Sequence, residues 1–253
     1  MSTQLLFKYK PINSTDQLVR IIDSINNNRL FFPGYKKLND PLESSGYVIE
    51  LSGYAGRGMI LAVDDEDRFV AERRQQYKIL SLTENCFSPS MWAHYTSEYN
   101  GICIGYWRKE SFSSARKLTY INEAVHAKTA NYMGFVDEDN LDQEVYESFF
   151  YKHSDWSYEK EWRIVSKQDD KFLNYSSNDL ACIIFGENLS NEIRSIIINN
   201  LKVHVPMYYT KTGYRSFGIN LLPISYVLNI DGSTPPFIRN ADELIDDINK
   251  KTC

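Results

Sequence analysis

Glu159, Glu161 and Arg163 set two carboxylates beside a guanidinium in the segment WSYEKEWRIV at 156–165. Taken as a strand that begins near Tyr158, the two-residue repeat turns all three to one face and Lys160, Trp162 and Ile164 to the other. Trp162 and Ile164 supply the apolar surface that fixes such a strand against a core. On an open edge the charged face is an ordinary salt bridge. Enclosed, one carboxylate can bind a ribose hydroxyl or act as a general base, and Arg163 can hold an anion or orient a carboxylate.

A second concentration of polar chemistry runs through YKILSLTENCFSPSMWAHYTSEYNGICIGY at 77–106. Alternation puts Leu80 and Leu82 on one face of a strand and the small hydroxyls of Ser81 and Thr83 on the other, where they can line a cavity. Ser88 followed by Pro89 reads as the N-cap and first position of a helix running through Trp92, Tyr95 and Tyr99. Helical spacing gathers Met91, Trp92, Tyr95 and Tyr99 on one side and leaves His94 away from them, either as a surface histidine or as a catalytic group. Asn100-Gly101 then turns the chain into a strand at Ile102–Tyr106. Upstream, the irregular loop PGYKKLNDPLES carries Asn39, Asp40 and Glu43. Its first reading is a structural turn, in which Asn39 and Asp40 bond nearby backbone and Pro41 holds Asp40 extended. Its second is a polar ligand contact from a loop positioned by the core.

These candidates need a scaffold, and 253 residues, 43% hydrophobic and 24% charged, suffice for a substantial core. A single globular domain over 1–253 is expected, with a peripheral C-terminal extension at 226–253. A net charge of −5 gives no broad attraction for nucleic acid; binding of that kind needs a folded basic path through residues such as Lys8, Lys36, Lys37 and Arg163. Cys86, Cys103, Cys182 and Cys253 are dispersed and the chain has four histidines, so reduced structural thiols and no metal centre are expected. No apolar run approaches the roughly 18 to 20 residues of a membrane-spanning helix, and the opening MSTQLLFKYKPIN lacks a long secretory apolar region. A cytoplasmic location and no membrane partner are expected.

The elements follow from periodicity. Leu5 to Lys10 reads as a strand with Leu5, Phe7 and Tyr9 facing inward and Lys8 reaching a site or solvent. Ser14 and Gln17 form a capping box for a helix with an apolar stripe at Leu18, Ile21, Ile22 and Ile25. Tyr47–Leu51, Leu118–Ile121, Leu180–Phe185, Val203–Tyr208 and the stretch 214–219 read as strands. DDEDRFVAERRQQYK reads as a charged, solvated helix or excursion leading to the next strand, and LDQEVYESFFYK, the run from Ser190 through Ile193, Ile196 and Ile197, and ADELIDDINK read as helices. The fold expected is α+β, a central and mostly antiparallel sheet with packed helices. SGYAGRG lacks the strand-to-helix context of a phosphate loop, though Arg57 within it can meet an anion.

FKY near the start, LNDPLE, MWAHY, GICIGY, Lys152 ahead of the W-x-YEKEWR arrangement, and Phe185-Gly186 together resemble a widespread, mainly bacterial family, the domain of unknown function 2971. The order of an early strand, a Ser-x-Thr strand, an aromatic helix and a Glu-x-Glu strand more distantly resembles the ADP-ribosyltransferase fold, including its DNA-modifying toxin branch. That resemblance implies a split β-sandwich and a nicotinamide dinucleotide (NAD) as cofactor. It assigns Lys8 and Tyr9 to the cofactor contact, Ser81 and Thr83 to the ribose pocket, Glu161 to the catalytic position and Glu159 to help for the nucleophile. Trp92 or Tyr95 would stack on a ring, and Arg163 or Lys8 would meet pyrophosphate. Lys8 departs from the arginine or histidine more usual at its place. The function implied is an NAD-consuming transferase or glycohydrolase, a phage-defence or toxin effector, with DNA, RNA or protein as acceptor. Two alternatives stand beside it: a noncatalytic sensor of a small polar molecule or nucleotide, and a hydrolase using His94 and Glu161.

Overall fold

The computed structural model describes residues 4–38, 40, 42, 44–51, 70–129, 131–132, 135–167, 171–213, 217–227 and 237–252. Asn39, Glu43 and Arg57 lie outside the described residues. The chain opens with β1 (Leu5–Pro11), α1 (Thr15–Asn26), β2 (Arg29–Phe31) and β3 (Tyr47–Leu51). A helical stretch at 70–74, α2, leads to β4 (Lys78–Thr83), α3 (Pro89–Tyr95), β5 (Gly101–Trp107) and β6 (Arg116–Lys117). Short strands follow: β7 (Thr119–Ile121), β8 (Val125–Thr129), β9 (Asn131–Tyr132) and β10 (Phe135–Val136). Then come α4 (Glu138–Ser148), β11 (Tyr151–His153), β12 (Glu161–Ser166), β13 (Phe172–Asn174) and β14 (Leu180–Phe185). The last elements are α5 (Asn191–Asn200), β15 (Met207–Thr212), β16 (Ile219–Pro223), α6 (Ile224–Val227) and α7 (Ala241–Thr252).

The architecture is α+β, and its main sheet has eight strands in the order β16-β15-β14-β5-β1-β4-β12-β6. Every neighbouring pair is antiparallel except β14 with β15. The pleat sends alternate side chains of β1 into different cores, as a sheet buried on both faces requires. Leu6 joins Leu82, Ile104 and the buried stripe of α1, Leu18, Ile21 and Ile25. Phe7 and Tyr9 join Trp92, Cys103, Cys182, Tyr208, Leu244 and Ile248 on the other side. A third cluster packs Leu141, Val145 and Phe149 of α4 and its exit against Ile79, Tyr77 and Ile49. Among the described residues no helix is long and apolar enough to cross a membrane.

Four local expectations are corrected. The strand expected from Tyr158 begins at Glu161; Ser154–Glu159 is a 3-10 helix, and Lys160, with φ of 45°, turns the corner. The helix expected to pass Tyr99 ends at Tyr95, because Ser97, Glu98 and Tyr99 all take the left-handed conformation, with φ of 50°, 58° and 66°. The strand expected at Val203–Tyr208 begins at Met207, since Pro206 has no N–H to give a ladder. Within the stretch expected as a peripheral extension, Leu244 and Ile248 of α7 are fully buried, so that helix closes a core. The companion expectation at 214–216 lies outside the described residues.

Candidate functional site

β1 and β5 pair along seven residues, from Leu5↔Trp107 to Pro11↔Gly101, whereas β1 and β4 meet only at Phe7↔Thr83. The sheet is therefore split beside its middle strand, leaving backbone groups along the split without the ladder partners that buried polar groups require. Lys8 meets that requirement on one side: its Nζ reaches across and donates to the Ser81 carbonyl at 2.6 Å. A narrow cleft opens there, lined by Phe7, Lys8, Tyr9, Ser81, Thr83, Met91, Tyr95, Lys152, Glu159 and Glu161. Its interior is about 60 Å³, room for one small group rather than a whole nucleotide.

The charges in the cleft form one connected network. Glu161, on the first residue of β12, receives Arg163 Nε at 2.7 Å and Arg163 Nη2 at 3.0 Å, a two-point grip along one face of the strand. Lys152 of β11 bridges the two carboxylates, with Nζ 2.7 Å from Glu159 Oε2 and 3.2 Å from Glu161 Oε2. The other oxygen of Glu159 accepts from the Tyr95 hydroxyl. Arg163 is anchored from behind by donating Nη1 to the Phe149 carbonyl at 2.7 Å, and Lys152 Nζ lies 4.7 Å from the Trp156 ring centroid. All four charged side chains are almost wholly buried. Thr83 fastens the corner at Glu159 by donating Oγ1 to its carbonyl at 2.5 Å, and Tyr120 accepts the Glu161 N–H at 2.8 Å.

Burial raises the Tyr9 hydroxyl well above its ordinary value, and two charged groups of the cleft are also displaced far from theirs. Burial pushes the Glu161 carboxyl up, but Arg163, Lys152 and the Ser81 hydroxyl outweigh it and hold the group down at about 2. Glu161 is thus a fixed anion at neutral pH. Burial and, after it, the repulsion of Lys10 lower the Lys8 ammonium to about 7, against a smaller upward pull from Glu161. Lys8 accordingly changes charge near neutrality.

The structure brings Lys8, Tyr9, Ser81, Thr83, Tyr95, Glu159 and Glu161 to this one cleft, with Arg163 directly behind Glu161. It keeps three other candidates apart. Trp92 is fully buried, its Nε1 donating to the Cys86 carbonyl at 2.8 Å and its ring edge-on to Tyr9 at 5.2 Å, so it packs a core and cannot stack on a ligand. His94 is exposed, 3.4 Å from the Tyr158 hydroxyl, and does not line the cleft; it shares no site with Glu161. Asp40 is buried and accepts from the Leu42 N–H at 2.9 Å, which is the structural turn. A second hollow beside that loop, of about 110 Å³ and lined by Leu42, Ser44, Ile121 and Lys152, meets the cleft at Lys152.

Sequence reasoning missed Lys152 and Tyr120 as members of the site. Lys152 sits in a three-residue strand after α4, where the cue was the tryptophan four residues on whose ring lies 4.7 Å from its ammonium. Nothing in the spacing of Tyr120 connects it with Glu161; β7 and β11 must pair first.

No curated protein and no solved structure matches the chain. Residues 91–164 match the model of the family described as Protein of unknown function (DUF2971), so the stretch that supplies Tyr95, Lys152, Glu159, Glu161 and Arg163 carries that family's pattern.

Proposed function

We propose that the cleft consumes a nicotinamide dinucleotide, as an ADP-ribosyltransferase-type transferase or glycohydrolase. The observation that carries this reading is the convergence of Lys8, Ser81, Thr83, Tyr95, Glu159 and Glu161, drawn from four separate chain segments, on the split between β1 and β4. The interior takes the reacting ribose, and the rest of the dinucleotide lies across the mouth.

The N-glycosidic bond between ribose C1′ and the pyridinium nitrogen breaks, and its electron pair leaves with neutral nicotinamide. Positive character then develops at C1′. Glu161, ionised and held by Arg163 and Lys152, is a preorganised negative charge for it, and such charges need no reorganisation as the reaction proceeds. A water or an acceptor's nucleophile forms the new bond to C1′ and gives up a proton, for which Glu159 and its Tyr95 partner are the available route. Lys8 and the Ser81 and Thr83 segment position the sugar.

The test is to incubate the purified protein with NAD and supplied DNA, RNA and protein, and to follow free nicotinamide and attached ADP-ribose separately. Release with attachment assigns a transferase; release without it assigns a glycohydrolase. A noncatalytic nucleotide sensor is the second reading, and the complete pairing of both carboxylates favours it. Saturable binding of NAD with no nicotinamide released would select that reading.

A further inference from the structure

A wide groove on the other side of β1 has no part in this chemistry. It is lined by Lys10, Gln17, Arg20, Asp23, Phe31, Lys37, Ile104 and Phe172 and encloses about 560 Å³, within the usual range for a small-molecule site. Lys10 follows Lys8 by two residues and so points from the same face of the strand, but into this groove rather than into the split. Its ammonium is buried enough to be pushed below the ordinary lysine range, and it has no hydrogen-bond or ion-pair partner among the described residues. Arg20 and Lys37 add two exposed cations at the rim. The carboxylate of Asp23 is already taken by Arg29 at 2.8 Å. The basic path imagined through Arg163 is closed, because Arg163 is fully buried; the cations that gather are these three.

The groove also has an aromatic wall. Phe31 stands in β2 between the buried Leu30 and Phe32, yet is itself 44% exposed. It meets Phe172 of β13 edge-on at 6.2 Å, and the cations of Lys37 and Arg29 lie 5.2 Å and 4.4 Å from the Phe31 and Phe172 rings. Cations beside exposed aromatic rings are the pairing that recognises a phosphate joined to a flat base.

We propose that this groove is a second binding site, for a nucleotide or a nucleotide within a single strand, with phosphate on Lys10, Arg20 and Lys37 and base against Phe31 and Phe172. It does not depend on the reading of the cleft, and ligand bound there lies on the face of β1 from which Lys8 and Lys10 both point.

The test is fluorescence or calorimetric titration of the full chain with ATP, with inorganic pyrophosphate and with a labelled ten-nucleotide single strand. Wild type is expected to bind ATP or the strand saturably and pyrophosphate at least tenfold more weakly. Phe31→Ala, at an exposed position, should weaken nucleotide binding about tenfold. Lys10→Gln should weaken it at least tenfold, and Lys37→Ala should lower the salt slope of strand binding by about one. Tighter binding of the strand than of ATP assigns the nucleic acid as the source; the reverse order assigns the free nucleotide. No saturable binding, pyrophosphate binding as tight as ATP, or affinity unmoved by both Phe31→Ala and Lys10→Gln overturns the proposal. Glu161→Gln should leave this binding unchanged, which separates failure of the groove from failure of the cleft.

Discussion

Glu161 owes its properties to two cations that the fold buries with it. The Glu161→Gln variant leaves Arg163 without the charge that compensates it, while Lys152 keeps Glu159, and breaking a buried pair in this way costs about 3–5 kcal/mol. Urea unfolding at neutral pH is expected to show that loss. The pH dependence has a definite sign. The folded carboxyl titrates near 2, below its ordinary 4.5, so its stabilisation is complete above 4.5 and is lost as pH falls toward 2. Wild type should therefore lose stability through that window more steeply than Glu161→Gln. Lys8 behaves oppositely. Its folded value is about 7 against 10.5 for a free lysine, so between those values the unfolded chain holds one more proton and alkalinisation favours the fold. Lys8→Met should reduce the rise in stability between pH 7 and 10, measured by unfolding in a pH series, with the remainder left to Lys10, which burial also lowers.

At the scale of elements, α3 delivers Tyr95 and depends on its first turn. Ser88 caps it by accepting from the Met91 N–H at 3.3 Å, and Ser88→Ala is expected to cost about 1 kcal/mol in urea unfolding. The exit from β14 is tighter still. A Cβ on Gly186 would sit 2.0 Å from the Tyr99 carbonyl oxygen, so Gly186→Ala must move the left-handed run at 97–99, and a loss of about 1–3 kcal/mol is expected in the same measurement. Periodicity made these elements legible where one face is buried: the stripe of α1, the Leu141-Val145-Phe149 track of α4 and the alternation of β1 and β4 all stand as read. It failed at the corner before β12. A two-residue repeat from Tyr158 brings Glu159 and Glu161 to one side by pleat alone; the protein does so with a 3-10 turn and a left-handed Lys160. Pattern reports which side chains share a side, but a corner in the backbone leaves no periodic trace.

For the whole molecule, the consequential feature is a sheet that divides beside its central strand. The hydroxyls of β4 and the carboxylates flanking Lys160 were legible as candidates, because small polar groups alternating with leucines and paired acids beside tryptophan are unusual in packed strands. Their meeting place was not, since it depends on β4 pairing along six residues with β12 and at one residue with β1. Lys152 shows the same limit: it reaches the site through the pairing of β11 with β7, outside the main sheet. The proposed chemistry rests on this split between β1 and β4. The direct measurement is nicotinamide released from NAD by wild type and by Glu161→Gln, with circular dichroism confirming that both are folded. Release by wild type, reduced at least a hundredfold in the variant, is the predicted result; no release by wild type, or equal release by both, would contradict it.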